Sequence, residues 1–195
     1  MQSRRNRFGL FGGSFDPVHL GHLLVAESAR EELGLDRLFF IPAAQSPFKP
    51  ASQPAPVAER IRLLRLALAG RSWCQIDTQE ATRGGVSYTI DTAREYRRRY
   101  PSAELYYLIG ADHVSQLPKW RAADELAELL EFVVMPRPGQ LECGFPSPFR
   151  GRWLTGFPLG LSSSQVRARV AAGKPIEHLV GATVAEAIRN YGLYL

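Results

Sequence analysis

The chain has 195 residues, of which 45% are hydrophobic and 22% are charged, and its formal net charge is +5. This length predicts one domain, residues 1–195, that can bury a substantial core, with about residues 160–195 as its C-terminal part. Two lone cysteines, Cys74 and Cys143, exclude a disulfide framework and a cysteine zinc site.

The basic charge favours anionic partners of two kinds. Nucleic acid is one, and small substrates that carry phosphate are the other. We favour phosphate substrates, because the sequence has no arginine-rich tail and no RNA-binding signature. No segment approaches the roughly 20 apolar residues of a membrane span, and the apolar run that follows Arg7 is too short for a signal peptide. We therefore expect a soluble, cytoplasmic protein.

The first elements are a strand, a glycine turn and a helix. The apolar run 8–11 suits a buried parallel strand, and Gly12 and Gly13 end it where the backbone turns sharply. Apolar residues then recur at helical spacing over 20–33, before a glycine that suits a helix C-terminus.

His19 and His22 flank the start of that helix. Free N–H groups and the positive end of the helix dipole attract phosphate there, and two imidazoles add hydrogen-bond donors. The alternative is that both histidines only cap and pack. The surrounding pattern favours anion binding.

The rest of the chain continues the alternation of strands and helices. A βαβ unit is complete at strand 38–41, and its crossover is expected to be right-handed, which predicts an α/β protein with a parallel sheet. Further strands are predicted at 73–76, 105–109, 132–135 and, as a final extended segment, 153–159; helices are predicted at 57–69, from about 89 to 100, through 114–117, at 122–130, 162–172 and up to about 191.

The proline-rich loop 42–56 carries one charge, Lys49. A loop of this length is usually mobile or functional. Lys49 either reaches a phosphate when the loop folds over the site or is a solvated lysine.

Three further stretches carry candidate residues. A glycine turn brings Ser87, Tyr88 and Thr89 to a helix start. Asp112 follows the strand 105–109 and either accepts from ribose hydroxyls or caps the next helix. Trp120 either stacks on a flat ring or is simply packed.

The stretch 161–167 predicts a second anion site. Ser162 and Gln165 have capping-box spacing, and Ser163 and Arg167 add a hydroxyl and a charge near the same helix start. Thr183 has the same spacing to a glutamate, and we interpret it as a purely structural cap of the last helix.

These stretches together resemble a known family. The motifs GGSFDPVHLGH (12–22), GVSYTIDT (85–92), IGAD (109–112), LPKW (117–120) and LSSSQVR (161–167) occur in the order found in bacterial nicotinate mononucleotide adenylyltransferases. They span nearly the whole chain and are more specific than the H-x-G-H element, which is shared with other nucleotidyltransferases. The resemblance implies a Rossmann-like doubly wound sheet with helices on both faces and a C-terminal helical segment.

The resemblance also implies substrates and residue roles. ATP and nicotinate mononucleotide would react directly, without a protein nucleophile, and Mg²⁺ would ride on the ATP phosphates. The implied catalytic residues are His19, His22, Arg167 and Lys49. The implied ATP-binding set is Gly12, Gly13, Phe15, His19, His22, Asp112, Ser162, Ser163 and Arg167. The implied acceptor-binding set is Ser87, Tyr88, Thr89, Trp120, Arg121 and Lys49. Phe48 departs from the histidine often found there.

Two alternatives stay open at this point. A phosphopantetheine adenylyltransferase shares the histidine element, and a nucleotide-binding or RNA-binding module without catalysis fits the charge. Release of pyrophosphate from ATP distinguishes them. The sequence does not choose between nicotinate and nicotinamide mononucleotide, and it leaves the oligomeric state open, with a homo-oligomer among the alternatives.

Overall fold

Six parallel strands form one sheet in the order β3-β2-β1-β4-β5-β6. The computed structural model describes residues 5–47, 54–136, 138–140, 142–157 and 159–195. The strands are β1 (Arg7–Gly13), β2 (Arg37–Pro42), β3 (Cys74–Ile76), β4 (Glu104–Gly110), β5 (Glu131–Met135) and β6 (Gly151–Trp153). The predicted α/β class with a parallel sheet is confirmed.

Helices connect the strands and follow the last one. They are α1 (Leu20–Leu33), α2 (Val57–Ala67), α3 (Gln79–Arg83), α4 (Thr89–Arg99), α5 (Ala123–Leu129), α6 (Ser163–Ala171), α7 (Glu177–Val180) and α8 (Ala182–Asn190), with a 3-10 helix at Ala111–Lys119. α1 ends as predicted, because Gly34 adopts the left-handed conformation, with φ 61° and ψ 47°. No helix of the described residues is long and apolar enough to span a membrane.

The sheet buries both of its faces, because successive side chains of a strand point to opposite sides. Leu38 and Phe40 of β2 pack in one hydrophobic cluster with residues of α1 and α2. Phe39 and Ile41 pack in a second cluster with residues of α4 and α5. Helices therefore cover both faces, as the Rossmann-like doubly wound sheet requires.

The predicted C-terminal helical segment is present and packs on the α1 face. Val166 of α6, Val180 of α7, and Val184 and Ile188 of α8 are buried in the same cluster as Leu38. Burial of this kind contributes about 25 cal/mol per Å² of apolar surface. The segment therefore shares a core with the sheet.

The strand order places a topological switch point between β1 and β4. From β1 the chain winds outward through β2 to β3, and it then crosses back to β4 on the other side of β1 before continuing to β5 and β6. In open parallel sheets, ligands bind beyond the carboxyl ends of the strands at this point. Gly13 and Gly110 are the last residues of β1 and β4.

The extended segment predicted at 153–159 is wrong, since β6 ends at Trp153. The last sheet bond nearby is donated by the N–H of Leu154 to the carbonyl of Val134. The N–H groups of Thr155 and Gly156 instead donate to the carboxylate of Glu32, at 2.9 and 2.8 Å. A side chain of α1 thus takes the donors that a longer strand needs.

The predicted cap at Thr183 is also wrong. The short helix α7 was not predicted, and Gly181 follows it with φ 88°. The same glycine precedes Ala182, the first residue of α8, so Thr183 already lies inside α8. α3 was likewise missed, because five residues are too few to show a helical period.

Candidate active site

Two cavities lie at the carboxyl ends of the strands. We call one the histidine cavity, about 390 Å³ and lined by His19, His22 and Arg167. We call the other the tryptophan cavity, about 500 Å³ and lined by Thr89 and Trp120. Phe11, Ser14, Leu108, Ile109 and Gly110 line both cavities. The two cavities therefore meet at the switch point between β1 and β4.

The two histidines at the start of α1 form one unit. His19 is the N-cap residue in an extended conformation, with φ −146° and ψ 170°. Its backbone N–H donates to Nδ1 of His22 at 3.2 Å, and the two rings are stacked with centroids 3.8 Å apart. A neutral imidazole that accepts at Nδ1 carries its proton on Nε2. The proton of a neutral His22 is therefore on Nε2, and the residue lies in the first turn of a helix N-terminus, where anions are favoured.

The start of α6 faces the same cavity. The predicted capping box is confirmed: Ser162 Oγ accepts from the N–H of Gln165 at 3.3 Å, and the N–H of Ser162 donates to the Gln165 side chain at 2.8 Å. The hydroxyl of Ser163 donates to the carbonyl of Pro17 at 2.9 Å. That bond joins α6 to the turn before His19, so two helix N-termini line one cavity.

Arg167 adds a positive charge beside the two helix starts. Its Nη1 donates to the backbone carbonyl of Asp16 at 2.6 Å, and its Nη2 donates to the hydroxyl of Ser164 at 3.3 Å. The carboxylate of Asp16 lies 3.6 Å from Nη1. His19, His22, Ser162, Ser163 and Arg167 are thus brought together, as the sequence predicted.

The two glycines close β1 and line the tryptophan cavity. A Cβ on Gly12 would overlap the hydroxyl of Tyr107, and a Cβ on Gly13 would lie 3.1 Å from the ring of Phe15. These glycines therefore allow close packing of aromatic side chains against the strand. They are the last two residues of the strand, as the sequence predicted.

Phe15 lies beneath the site. Its ring is 2% exposed and makes edge contacts with Phe11 and His22, at 5.4 and 5.0 Å between centroids. Its backbone has φ 46°, which a non-glycine residue seldom adopts. Phe15 thus packs against the ring of His22 and is not among the residues that line either cavity.

Asp112 lines the tryptophan cavity and is half exposed, with 59% of its side chain accessible. Of the two alternatives left open by the sequence, the one in which Asp112 caps the next helix is wrong. Gly110 is the N-cap residue, and Asp112 is the second residue of the 3-10 helix. The reason is that β4 runs directly into that helix, with no intervening loop.

Thr89 and Tyr107 form the inner part of the tryptophan cavity. Thr89 is the first residue of α4, and its hydroxyl donates to the hydroxyl of Tyr107 at 3.3 Å. Burial raises the pKa of the Tyr107 phenol, which therefore stays protonated. Tyr88 precedes Thr89 as the N-cap residue, and the guanidinium of Arg121 lies 4.7 Å from its ring centroid.

Trp120 is packed and also lines the tryptophan cavity, and stacking on a flat ring stays a prediction. Its ring makes edge contacts with Tyr107 and Phe132, at 6.3 and 6.0 Å between centroids. It also contacts His113 at 5.8 Å. In an edge contact, one ring presents its edge to the face of the other.

Ser87 is buried, lines the tryptophan cavity and braces its wall. Its Oγ accepts from the N–H of Ala44 at 3.1 Å, and its side chain also bonds with Glu80. Glu80 is 3% exposed and accepts from the hydroxyl of Thr92 at 2.6 Å. Burial raises the pKa of Glu80, and the two hydroxyl bonds oppose that shift. Ser87 thus joins the loop after β2 to the start of α4.

Arg60 is a buried supporting residue of the site that was not predicted from the sequence. It is 1% exposed, and its guanidinium donates to the carbonyls of Ser14, Ala43 and Ala55 at 2.6, 2.9 and 2.9 Å. It therefore holds together three segments around the two cavities. The signal that could have found it is an arginine on the apolar stripe of α2, since Arg60 lies three residues after Val57 and therefore on the same face of the helix.

Tyr107 was also missed, although a buried tyrosine near the end of a strand needs a partner for its hydroxyl. Glu80 had no signal in the sequence. The predictions for Phe48 and Lys49 lie outside the described residues. Within the described residues, no group of three or more His, Cys, Asp or Glu side chains could hold a metal ion.

A family model described as cytidylyltransferase-like matches residues 10–169 of this chain. The chain is 39% identical over 188 residues to the probable nicotinate-nucleotide adenylyltransferase of Shouchella clausii, and the match covers 96% of each chain. It is also 39% identical over 191 residues to the protein of the same name from Opitutus terrae, with 96% of this chain and 97% of that relative covered.

Solved structures share the fold. The nicotinic acid mononucleotide adenylyltransferase of Plasmodium falciparum, complexed with NaAD, superposes with a TM-score of 0.80 at 16% identity, over 97% of this chain and 98% of that one. A putative nicotinate-nucleotide adenylyltransferase from Vibrio parahaemolyticus gives 0.70 at 22% identity, over 97% and 95%.

Proposed function

Because the chain belongs to the nicotinate-nucleotide adenylyltransferase family, we propose that it transfers AMP from ATP to nicotinate mononucleotide in NAD biosynthesis. The products are deamido-NAD and pyrophosphate. One observation carries the proposal: a cavity rich in phosphate-binding groups and a cavity rich in aromatic groups share a wall at the switch point. Two substrates bound there have adjacent reacting ends.

ATP occupies the histidine cavity in this proposal. The Nε2–H of His22 donates to a phosphate oxygen, and His19 adds its ring beside it. The free N–H groups at the start of α6 and the guanidinium of Arg167 bind the triphosphate from the opposite wall. Gly12, Gly13 and Asp112 line the neighbouring cavity, so we assign them to the boundary between the substrates.

Nicotinate mononucleotide occupies the tryptophan cavity. We propose that the ring of Trp120 stacks on the pyridine ring and that Thr89 borders it, while the backbone at Arg121 meets the nicotinate carboxylate. Ser87 acts indirectly, because its hydroxyl already bridges Ala44 and Glu80. Tyr88 is covered by the guanidinium of Arg121 and shapes the rim.

The chemistry is a direct displacement at the α-phosphorus. A phosphate oxygen of the mononucleotide forms the new bond, and the bond from the α-phosphorus to the pyrophosphate oxygen breaks. No protein nucleophile is needed, so the protein aligns two polyanions and stabilises the charge that develops on the departing pyrophosphate. His19, His22 and Arg167 are the described groups that supply this field; Lys49 stays a prediction.

Mg²⁺ is expected to arrive with ATP. The ion is commonly bound by substrate phosphates and one or two carboxylates. Such binding does not need a cluster of three or more ligating side chains, and the described residues contain no such cluster. When bound, the ion neutralises phosphate charge. We also propose that residues 1–195 act as one domain, which the shared core of the sheet and the C-terminal helices supports. We further propose that the protein acts without nucleic acid.

The decisive experiment offers ATP and Mg²⁺ to the protein with three acceptors in parallel: nicotinate mononucleotide, nicotinamide mononucleotide and phosphopantetheine. Pyrophosphate release and product masses are measured. We expect rapid release with nicotinate mononucleotide and a product of the mass of deamido-NAD. Release with phosphopantetheine alone would assign the sister activity, and no release with any acceptor would indicate a binding module without catalysis.

A further inference from the structure

The segment after α8 reaches back to the turn that precedes the histidines. The hydroxyl of Tyr194 donates to Oδ1 of Asp16 at 2.9 Å, across 178 positions of sequence. We propose that Tyr194 is a positioning residue for Arg167 and that it acts through the carboxylate of Asp16. The inference rests on the proposed function, in which Arg167 binds the triphosphate of ATP.

Asp16 is a buried carboxylate with two neutral donors. It is 6% exposed, and its Oδ1 accepts from the hydroxyl of Tyr194 and, at 3.1 Å, from the N–H of Ala55. A buried carboxylate is costly unless it is hydrogen-bonded. These two neutral donors therefore satisfy Oδ1, while the cations Arg60 and Arg167 lie near the same carboxylate.

The guanidinium of Arg167 lies beside this carboxylate without a close ion pair. Its Nη1 is 3.6 Å from Oδ2 of Asp16, whereas close guanidinium–carboxylate bonds are about 2.7–2.9 Å. The same Nη1 donates to the backbone carbonyl of Asp16 at 2.6 Å. The backbone fixes the direction of Arg167, and its charge stays available for an anion in the histidine cavity.

The position of Tyr194 is set by packing. Tyr194 and Leu193 pack against the cluster that contains Leu38, and the N–H of Leu193 donates to the carbonyl of Ile188 at 3.0 Å. Burial and the charge of Asp16 raise the pKa of the Tyr194 phenol. The hydroxyl therefore remains a protonated donor, and the core of α8 holds it against Asp16.

Removing this hydroxyl leaves Asp16 with fewer neutral donors. The carboxylate then draws Arg167 into a closer ion pair, because Arg167 is the adjacent cation that lines the cavity. A guanidinium paired with Asp16 binds phosphate less well. We expect Tyr194→Phe to raise the dissociation constant of ATP with Mg²⁺ about tenfold, in the range of a hydrogen bond to a charged group, and to leave the affinity for the mononucleotide unchanged.

The first test compares Tyr194→Phe with Tyr191→Phe by calorimetric titration of each substrate. Tyr191 is the matched control, since its ring lies against the guanidinium of Arg62, 4.3 Å from its centroid, and is 54% exposed. Both variants keep the ring and therefore its packing. A change below twofold in Tyr194→Phe, equal losses for both substrates, or the same loss in Tyr191→Phe would overturn the inference.

A double-mutant cycle tests the route through Arg167. In an Arg167→Met background, Tyr194→Phe is expected to have no further effect on ATP binding, because the guanidinium that it repositions is gone. Additive losses would contradict the inference. Binding constants separate this result from the proposed function: a wild-type protein that makes no deamido-NAD refutes the function, while the ratio of ATP affinities still decides the role of Tyr194.

Discussion

The rings of His19 and His22 stack at 3.8 Å, and the backbone N–H of His19 donates to the ring of His22. Each imidazole thus fixes the other at the start of α1. We expect His19→Ala or His22→Ala to lower kcat at least about a hundredfold, the loss measured when one transition-state donor is removed. Steady-state pyrophosphate release measures the loss.

His178→Ala is the control for this pair, because His178 is exposed in α7. It is expected to leave kcat unchanged. Near-normal turnover in both active-site variants would remove their assigned role. Since the two rings form one unit, the double variant should lose far less than the product of the single losses.

Trp120→Ala is expected to weaken binding of the mononucleotide and to spare ATP. Trp120 lines the tryptophan cavity and is not among the residues that line the histidine cavity. Loss of a stacked ring raises the KM of the mononucleotide about tenfold, the order of an aromatic pair. Trp73→Ala, whose ring lies against Arg30, is the control. Equal losses for both substrates would count against stacking.

Gly12→Ala tests the close approach of β1 to Tyr107. The added Cβ would overlap the phenol hydroxyl, which must then move and disturb its bond with Thr89. We expect the KM of the mononucleotide to rise about tenfold and the melting temperature to fall by several degrees. Gly144→Ala has no atom within 4 Å of its new methyl group and is expected to change neither quantity. A normal KM in Gly12→Ala contradicts the prediction.

Arg60→Met is expected to lower the free energy of unfolding by about 3 kcal/mol. The change leaves buried carbonyls without their donor and removes a cation near Asp16. Urea denaturation measures the change. Arg62→Met on the same helix, where the side chain is 44% exposed, should cost less than about 1 kcal/mol. Similar losses in both variants would show that Arg60 does not act through its buried bonds.

Glu80 predicts a pH dependence of stability with a definite sign. Because burial raises its pKa in the folded state, the folded protein holds the proton more tightly than the unfolded chain. The unfolding free energy of the wild type, minus that of Glu80→Gln, is therefore expected to fall as pH rises from about 4 to 8.

Glu95 supplies the opposite control. Hydrogen bonds from Arg98 and Arg99 lower its pKa to about 2, so its contribution is present above the pKa of the unfolded chain and is lost as pH falls. A difference for Glu80→Gln that does not change with pH, measured by denaturation at several pH values, would refute the assignment.

Local patterns in the sequence identified much of the site. The helix start at His19, the capping box at Ser162 and the glycine end of α1 each depend on residues a few positions apart, and all three are present. The apolar period, together with the rule that ligands bind beyond the carboxyl ends of parallel strands, then placed these residues at one edge of the sheet. Residues whose role depends on partners a few positions away in the sequence are predictable in this way.

The supporting contacts are not local and could not be predicted. Asp16 and Tyr194 meet only because α8 packs on the same face as α1, and no short motif records that packing. The cap at Thr183 failed for a related reason, since the end of α7 at Gly181 fixes where α8 begins. Tertiary packing decided these positions.

The wall that the two cavities share has a consequence for inhibitor chemistry. Phe11 and Ser14 belong to the end of β1 and the turn after it and line both cavities, so a compound that contacts these two residues lies beside both cavities. A compound with one head for each cavity binds its second head at an effective concentration in the millimolar range. Two weak fragments joined by a short linker across Ser14 are thereby converted into one tight ligand.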